Sequence, residues 1–270
     1  MITSTVNQQV KNIMQLTKKA KERQKQRVFL AEGLRLFEEL PEESIVKAYL
    51  SESFFRKEEQ KAVWDKKIDR QGSFVEKCEV VSDAVFARMS DTQSPQGILC
   101  VVRQQEYQLE ELFHDGQTHL LVLEGIQDPG NLGTIFRTGE GAGVTGIIMN
   151  RCVDLFAPKT VRSTMGSICR VPYYITENLP ETLRRLKQEQ IRLYAAHLNG
   201  KKYYDEFGYD GPTAFLIGNE ANGLSQETAE QADVYLKIPM GGKLESLNAA
   251  MAAGILIYEV NRQRRNDTGD

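Results

Sequence analysis

Polar side chains follow apolar, strand-like stretches at three places in the C-terminal half of the sequence: GIQDPGNLGTIFRT, FLIGNEANGLS and IPMGGKLESLNAAM. Loops at the carboxyl ends of parallel strands are where α/β proteins bind ligands. The candidate catalytic residues in these segments are Asn131, Arg137, Glu220, Ser246 and Asn248. An arginine among amides, a carboxylate and a hydroxyl can hold a hydroxyl or phosphate group and stabilise negative charge that develops on oxygen.

Each of these side chains also has a structural explanation. Asn131 could cap the start of a helix, and Glu220 could be a cap or turn residue. Arg137 could be a surface arginine in an ion pair. The three segments together, in this order along the chain, favour a functional site over unrelated structural features.

The pattern of apolar residues predicts the elements that position these segments. From His119 onward, apolar runs such as LLVL, GIIM and AFLIG alternate with helical segments, which is typical of a parallel sheet covered on both faces. We predict an α/β domain with an open, mostly parallel sheet over residues 119–270. An earlier alternation predicts a smaller α/β domain over residues 1–103, and the polar segment 104–118 is interpreted as the linker.

The segment GAGVTG, with Gly141, Gly143 and Gly146, matches the dinucleotide-binding pattern GxGxxG. That pattern binds phosphate only when it follows a strand and opens a helix. Here the glycines follow a helix and precede a strand. A helix C-cap and tight turn is therefore the better interpretation.

The composition argues against membrane and metal-binding classes. The chain has 270 residues, 41% of them hydrophobic, and no apolar run approaches the ~20 residues of a membrane span. The N-terminus lacks the apolar core of a signal peptide, so a cytoplasmic protein is predicted. The four cysteines and three histidines form no CxxC pair and no HExxH motif, which predicts reduced thiols and no metal site.

A basic stretch lies near the N-terminus, although the formal net charge of the chain is −3. The segment from about Thr3 to Gln26 is predicted to be one helix. A solvated helix face explains these charges as readily as an arm that binds RNA phosphates. The candidate RNA-binding residues are Lys18, Lys19, Lys21, Arg23, Lys25 and Arg27.

The three C-terminal segments resemble the three motifs of the SpoU family, the TrmH-like RNA 2′-O-ribose methyltransferases of the SPOUT class. The resemblance covers His119 to Asn261, and the N-terminal part looks like the substrate-binding domain often fused ahead of that fold. The matching positions are Asn131, Gly133 and Arg137 in the first motif, Gly218, Glu220, Gly223 and Leu224 in the second, and Ile238, Pro239, Met240, Ser246, Leu247 and Asn248 in the third.

The resemblance implies transfer of a methyl group from S-adenosylmethionine to a ribose 2′-hydroxyl of RNA. It implies that the cofactor is bound by Gly218, Ile238, Met240 and Leu247. It further implies a deep trefoil knot in the C-terminal domain and a homodimer with the active site near the subunit interface. The family assigns activation of the hydroxyl to Arg137. Arginine keeps its proton at neutral pH, so we interpret its role as holding the hydroxyl and stabilising alkoxide charge.

The choice of RNA stays open at this point. The two-domain layout favours ribosomal RNA over transfer RNA by analogy only. A non-catalytic RNA-binding protein with the same fold is the alternative from a different class. The joint presence of Arg137, Glu220, Ser246 and Asn248 argues against that alternative.

Overall fold

The structure is a computed structural model that describes residues 1–68, 72–219, 221–244 and 246–267. The candidate catalytic residue Glu220 therefore lies outside the described residues. The chain forms two compact units. The first consists of Met1–Gln105 and Asp154–Cys169, and the second of Glu106–Val153 and Arg170–Asp270.

In chain order, the helices are α1 (Gln8–Lys18), α2 (Ala20–Gln26), α3 (Leu34–Glu39), α4 (Glu58–Ile68), α5 (Asp83–Met89), α6 (Pro129–Ala142), α7 (Pro158–Thr164), α8 (Leu179–Gln188), α9 (Gln226–Glu230) and α10 (Ala249–Asp267). The strands are β1 (Val28–Glu32), β2 (Ile45–Ser51), β3 (Cys78–Val81), β4 (Ile98–Arg103), β5 (His119–Glu124), β6 (Gly146–Asn150), β7 (Tyr173–Ile175), β8 (Arg192–Ala196), β9 (Lys202–Tyr203), β10 (Thr213–Ile217) and β11 (Val234–Lys237).

The first unit is built on a four-stranded sheet in the order β1-β4-β2-β3. Strand β4 is antiparallel to both of its neighbours, and β2 and β3 are parallel. Helix α1 buries Val10, Ile13 and Leu16, which recur every three residues and so share one helix face. The same apolar cluster contains Leu30 of β1 and Leu99 of β4.

The predicted single helix over residues 3–26 is wrong, because the chain breaks at Lys19. Lys19 has an extended backbone with φ −121° and ψ 111°, and it separates α1 from α2. Helix α2 ends at Arg27 in the left-handed conformation, with φ 52°. Between Thr17 and Arg27 only Ala20 is apolar, so the sequence pattern carried no signal at the break.

The break turns one candidate RNA-binding residue inward. Arg23 is only 4% exposed, and its Nη2 lies 2.5 Å from Oδ2 of Asp154. Its guanidinium also donates to the carbonyl oxygens of Leu16 and Thr17. The prediction that Arg23 binds RNA is therefore wrong, since all of these contacts lie within the first unit.

Replacing Arg23 by alanine is expected to lower the free energy of unfolding by about 3 kcal/mol, because the Asp154 carboxylate then loses its buried partner. Urea unfolding followed by circular dichroism measures this change. Lys25→Ala is the matched control, since Lys25 is an exposed cation on the same helix and should change stability by less than ~0.5 kcal/mol. Equal effects of the two substitutions would contradict the prediction.

The division into units differs from the predicted domains in two places. The segment 154–169, predicted to belong to the second domain, groups with the first unit, where the Phe156 ring stacks on Phe29 with centroids 5.7 Å apart. The predicted linker 104–118 contributes a 3-10 helix, Leu109–Leu112, whose two leucines are buried in the core of the second unit.

The second unit contains a seven-stranded sheet in the order β7-β6-β5-β10-β8-β11-β9, and every pair of neighbouring strands is parallel. All residues of β6 and β10 are buried, in agreement with the apolar runs GIIM and AFLI within them. The predicted α/β class with a parallel sheet is confirmed.

The strand order creates a crevice near the middle of this sheet. From β5 the chain proceeds to β6 and β7 on one side, whereas β8 and β11 lie beyond β10 on the other side. Loops that follow β5 and β10 therefore leave adjacent strands in different directions, which is where open α/β sheets bind ligands.

Two further observations complete the fold. Gly143 ends α6 with φ 74°, which confirms the C-cap interpretation of GAGVTG. In the described part of the chain, no helix has the length and apolar character needed to cross a membrane.

Candidate active site

The first motif lies in the loop after β5 and in the start of α6, at the crevice. Asp128 caps α6, because its Oδ1 accepts a hydrogen bond from the Asn131 backbone N–H at 2.8 Å. Pro129 occupies the first turn, where a missing N–H costs nothing. The cap interpretation of Asn131 is therefore wrong, because the side chain that accepts the capping hydrogen bond belongs to Asp128.

Asn131 and Asn248 join the first and third motifs. Nδ2 of Asn248 donates to Oδ1 of Asn131 at 2.9 Å. Oδ1 of Asn248 accepts from the backbone N–H groups of Ala250 and Met251, at 3.0 and 3.3 Å, and so caps α10. Both ends of the Asn248 amide are thus engaged, and this brings the starts of α6 and α10 together.

The second motif forms a tight loop after β10. The Asn219 N–H donates to the Gly223 oxygen at 3.0 Å, and the Gly223 N–H donates back to the Asn219 oxygen at 2.8 Å. A Cβ on Gly218 would lie 2.1 Å from the carbonyl carbon of Gly223, so no larger residue fits this backbone arrangement. Gly218 is therefore essential to the shape of the loop.

Asn219 ties this loop to the first motif, a role that the sequence analysis did not assign. Its Nδ2 donates to the Gly125 oxygen at 2.8 Å, and its Oδ1 accepts from the N–H groups of Ala221 and Asn222. The available signal was its position, a polar residue directly after a buried strand.

Glu124 is a second residue that the sequence analysis missed. Its carboxylate accepts from the Ser225 N–H at 2.9 Å, from Ser225 Oγ at 2.8 Å and from Thr228 Oγ1 at 3.0 Å. Ser225 also caps α9, because its hydroxyl accepts a hydrogen bond from the Thr228 N–H. Glu124 thereby fixes the exit of the second loop to the end of β5.

Arg137 lies on the exposed face of α6, whose opposite face buries Ile135 and Phe136. It follows Asn131 by six residues, about 9 Å along the helix axis. Its guanidinium makes no hydrogen bond or ion pair with any residue that the structure describes. An ion-paired surface arginine is thus excluded among those residues, and the cation is open to a ligand.

Helix α10 approaches α6 closely at Gly254. A Cβ on Gly254 would lie 3.4 Å from Cγ2 of Thr138. The Asn261 Nδ2 donates to the Ala142 oxygen at 3.3 Å at the other end of the contact. This packing holds the helix of Arg137 against the helix that Asn248 caps.

The predicted cofactor-binding residues lie on the two loops that follow β10 and β11. Gly218, Ile238, Met240 and Leu247 are half-buried, so they belong neither to the core nor to a fully solvated surface. Ser246 is exposed on the same loop, and a Cβ on Gly241 or Gly242 would meet nothing within 4 Å. Half-buried apolar side chains beside open backbone suit a ligand with an apolar ring system and a polar end, such as S-adenosylmethionine.

Cys152, which follows strand β6, is not activated as a nucleophile. Burial is the main cause that raises the pKa of Cys152 to about 11, and its Sγ lies 3.5 Å from the Asn150 oxygen. The thiol therefore stays protonated at neutral pH. Among the described residues, no three His, Cys, Asp or Glu side chains are grouped so as to hold a metal ion.

The site lies in the crevice at the carboxyl edge of a parallel sheet. It contains Arg137, which has no partner among the described residues, and the two loops after β5 and β10, which are joined by hydrogen bonds. This arrangement is typical of an α/β enzyme. A family model described as the SpoU rRNA Methylase family matches residues 118–258, and one described as an MRM3-like substrate binding domain matches residues 7–100. The chain belongs to the SpoU rRNA methylase family. The predicted family and the predicted class of enzyme, a methyltransferase, are confirmed.

Relatives of nearly the same length support this assignment. The 23S rRNA (guanosine(2553)-2′-O)-methyltransferase RlmP of Bacillus subtilis is 34% identical over 96% of this chain and 98% of that protein. The 23S rRNA (guanosine-2′-O-)-methyltransferase RlmB of Xylella fastidiosa is 39% identical over 59% of this chain and 66% of that protein.

Solved structures give the same result. An rRNA methyltransferase from Sinorhizobium meliloti with bound S-adenosylmethionine is 31% identical, with a TM-score of 0.81 over 97% of both chains. The predicted S-adenosylmethionine cofactor is confirmed for the family to which this chain belongs.

Proposed function

We propose that this protein transfers a methyl group from S-adenosylmethionine to a ribose 2′-hydroxyl of ribosomal RNA. The observation that carries the proposal is the Asn131–Asn248 hydrogen bond of 2.9 Å, which unites the first and third motifs at the ligand-binding edge of the sheet. The names of RlmP and RlmB support ribosomal RNA as the substrate class.

The cofactor is held by the loops after β10 and β11, with Gly218, Ile238, Met240 and Leu247 in contact with it. When bound, it supplies an electrophilic methyl group on a sulfonium. The paired Asn219 and Gly223 backbone groups hold this loop in the shape that brings the cofactor close to Gly218. Glu220 lies outside the described residues, and its carboxylate is the proposed partner of the positive charge on the sulfonium.

Arg137 acts on the RNA. Its open guanidinium holds the ribose 2′-hydroxyl or the adjacent phosphate and stabilises the negative charge that grows on the attacking oxygen. Asn131 and Ser246 orient the ribose, and Asn248 fixes the orientation of Asn131. Correct placement of the hydroxyl against the methyl group then supplies a large part of the rate gain.

The N-terminal domain docks the RNA through its basic arm. Five of the six predicted RNA-binding residues have exposed side chains, which supports this role: Lys18, Lys19, Lys21, Lys25 and Arg27. We keep the division into a substrate-binding domain (1–103), a connecting segment (104–118) and a methyltransferase domain (119–270) as the functional division. The trefoil knot and the cytoplasmic location are part of the same proposal.

The proposed homodimer has a candidate interface on α10. Met251 and Tyr258 are 60% and 48% exposed, and they lie seven residues apart, which places them on one helix face. Tyr258 lies next to Gly141 of α6, since a Cβ on Gly141 would lie 2.9 Å from the tyrosine hydroxyl oxygen. A second copy on this face would therefore lie near the helix that carries Arg137.

Met251→Glu combined with Tyr258→Glu is expected to convert the dimer to a monomer, because two charges cannot be buried in an apolar interface. Size-exclusion chromatography with light scattering measures the mass, and methyl transfer should fall with the dimer fraction. Gln188→Glu, an exposed charge substitution on α8, is the control. A wild-type protein that elutes as a monomer would contradict the dimer proposal.

Incubation of the wild-type protein with tritiated S-adenosylmethionine and separate ribosomal and transfer RNA fractions tests the function. We expect label in ribosomal RNA at one 2′-O-methylated nucleotide. Label in transfer RNA alone would show that the substrate is transfer RNA and not ribosomal RNA. Binding of RNA with neither label nor cofactor affinity in calorimetric titration would show a non-catalytic RNA-binding protein.

A further inference from the structure

Arg151, directly after β6, has an unusual backbone conformation with φ 51°. Four non-glycine residues among those described have positive φ. Arg27 and Met165 end helices α2 and α7, and Gln190 follows the end of α8. Arg151 alone of these adopts the left-handed conformation at the end of a strand, where it serves no helix cap. Such a conformation costs free energy and persists only where the surroundings impose it.

Hydrogen bonds on both sides of Arg151 impose this conformation. The Gly125 N–H donates to the Asn150 oxygen at 2.9 Å, and the Val153 N–H donates to the Ile126 oxygen at 2.8 Å. The segments after β5 and β6 thus remain paired before and after Arg151. The residue between the two bonds turns outward, and its side chain is exposed.

A further contact connects Arg151 to the first and second motifs. Nε2 of Gln127 donates to the Arg151 oxygen at 2.7 Å and to the Gly125 oxygen at 3.2 Å. The same Gly125 oxygen accepts from Nδ2 of Asn219 at 2.8 Å. The backbone of Arg151 is therefore linked, through two amide side chains, to the loop that the proposed function assigns to the cofactor.

The position of Arg151 suits contact with the substrate. Strands β5 and β6 are adjacent and parallel, about 4.8 Å apart, so Arg151 lies at the same sheet edge as the loop that leads to Asn131. Its guanidinium has no hydrogen-bond or ion-pair partner among the residues that the structure describes. A guanidinium at a ligand-binding edge matches the geometry and charge of phosphate oxygens.

We propose that Arg151 binds a backbone phosphate of the substrate RNA next to the methylated nucleotide and so sets the register of the RNA in the site. This inference rests on the proposed function, because it takes RNA to be the substrate. Its role is separate from that of Arg137: Arg151 determines where the RNA binds, whereas Arg137 acts on the reacting oxygen.

Arg151→Asn tests the proposal, because asparagine tolerates the left-handed backbone and lacks the guanidinium. We expect the KM for ribosomal RNA to rise about tenfold, as for loss of one charge-assisted contact, with kcat within about twofold. The slope of log affinity against log salt should fall in magnitude by about 0.7, the value for one phosphate contact to a single strand. Arg151→Lys should recover part of the loss.

Two controls separate RNA contact from a structural role. The Kd for S-adenosylmethionine and the melting temperature should be the same in Arg151→Asn and in the wild type. Arg184→Asn removes an exposed arginine of α8 that pairs with Glu181 at 2.5 Å, and it should leave the KM for RNA unchanged.

An unchanged KM and salt slope in Arg151→Asn would overturn the inference, and so would an equal loss of cofactor affinity, which would point to the loop instead. If the wild type transfers no methyl group, the proposed function fails. The affinity of both proteins for ribosomal RNA, measured by filter binding, then decides the role of Arg151 by itself.

Discussion

Arg137→Ala is expected to reduce methyl transfer by at least about 10³-fold while the Kd for S-adenosylmethionine changes by less than about twofold. The physical reason is that the guanidinium is exposed and pairs with no described residue, so its removal leaves the fold intact and takes away only contacts with the RNA. Single-turnover transfer of tritiated methyl groups to ribosomal RNA measures the rate, and calorimetric titration measures cofactor binding.

Arg137→Lys separates charge from geometry. A lysine keeps the positive charge but lacks the planar fork, so we expect it to recover only a small part of the rate. Arg184→Ala on α8 controls for loss of an exposed arginine and should be fully active. Full activity of Arg137→Ala would refute the assigned mechanism. A parallel loss of cofactor binding would place Arg137 in the cofactor site instead.

Gly218→Ala is expected to weaken cofactor binding by more than about 100-fold and to lower the free energy of unfolding by about 2 kcal/mol. The added Cβ would lie 2.1 Å from the Gly223 carbonyl carbon and 2.2 Å from the Leu224 nitrogen, and neither backbone atom can move without opening the loop. The Asn219–Gly223 hydrogen bonds, and with them the contact from Asn219 to Gly125, should be lost together.

Gly211→Ala is the matched control for this substitution. Gly211 precedes β10, and a Cβ at that position would meet nothing within 4 Å. We expect the control to bind S-adenosylmethionine with wild-type affinity and to unfold at the wild-type urea concentration. Normal cofactor binding by Gly218→Ala would show that the tight loop is not the cofactor-binding element.

Apolar patterns predicted the second unit well because its strands are buried on both faces. Runs such as AFLI and GIIM are apolar throughout, so their burial leaves little choice of structure. In the first unit, the apolar residues of α1 end at Leu16, and the polar segment that follows gave no sign of the break that turns Arg23 inward. Apolar periodicity shows which face of a helix is buried, but it cannot show whether a polar segment that follows continues the same helix.

The sequence predicted which residue types form the site, but only part of the hydrogen bonds between them. Asn131, Arg137 and Asn248 follow from motif order, yet Asp128, not Asn131, caps α6. Glu124 and Asn219 went unassigned, because their roles depend on partners about 100 residues away, such as Ser225 for Glu124. Contacts at such separations depend on strand order, which local sequence does not specify.

The three motifs that suggested a ligand site were readable in the sequence alone, because glycine, amide and arginine side chains after apolar strands are chemically distinctive. The tertiary structure decided which of them meet: Asn131 bonds Asn248, Asn219 bonds Gly125, and Arg137 has no partner among the described residues. The reason is physical. A residue type determines which bonds a side chain can form, whereas the order of β5, β10 and β11 in the sheet determines which partners come within reach.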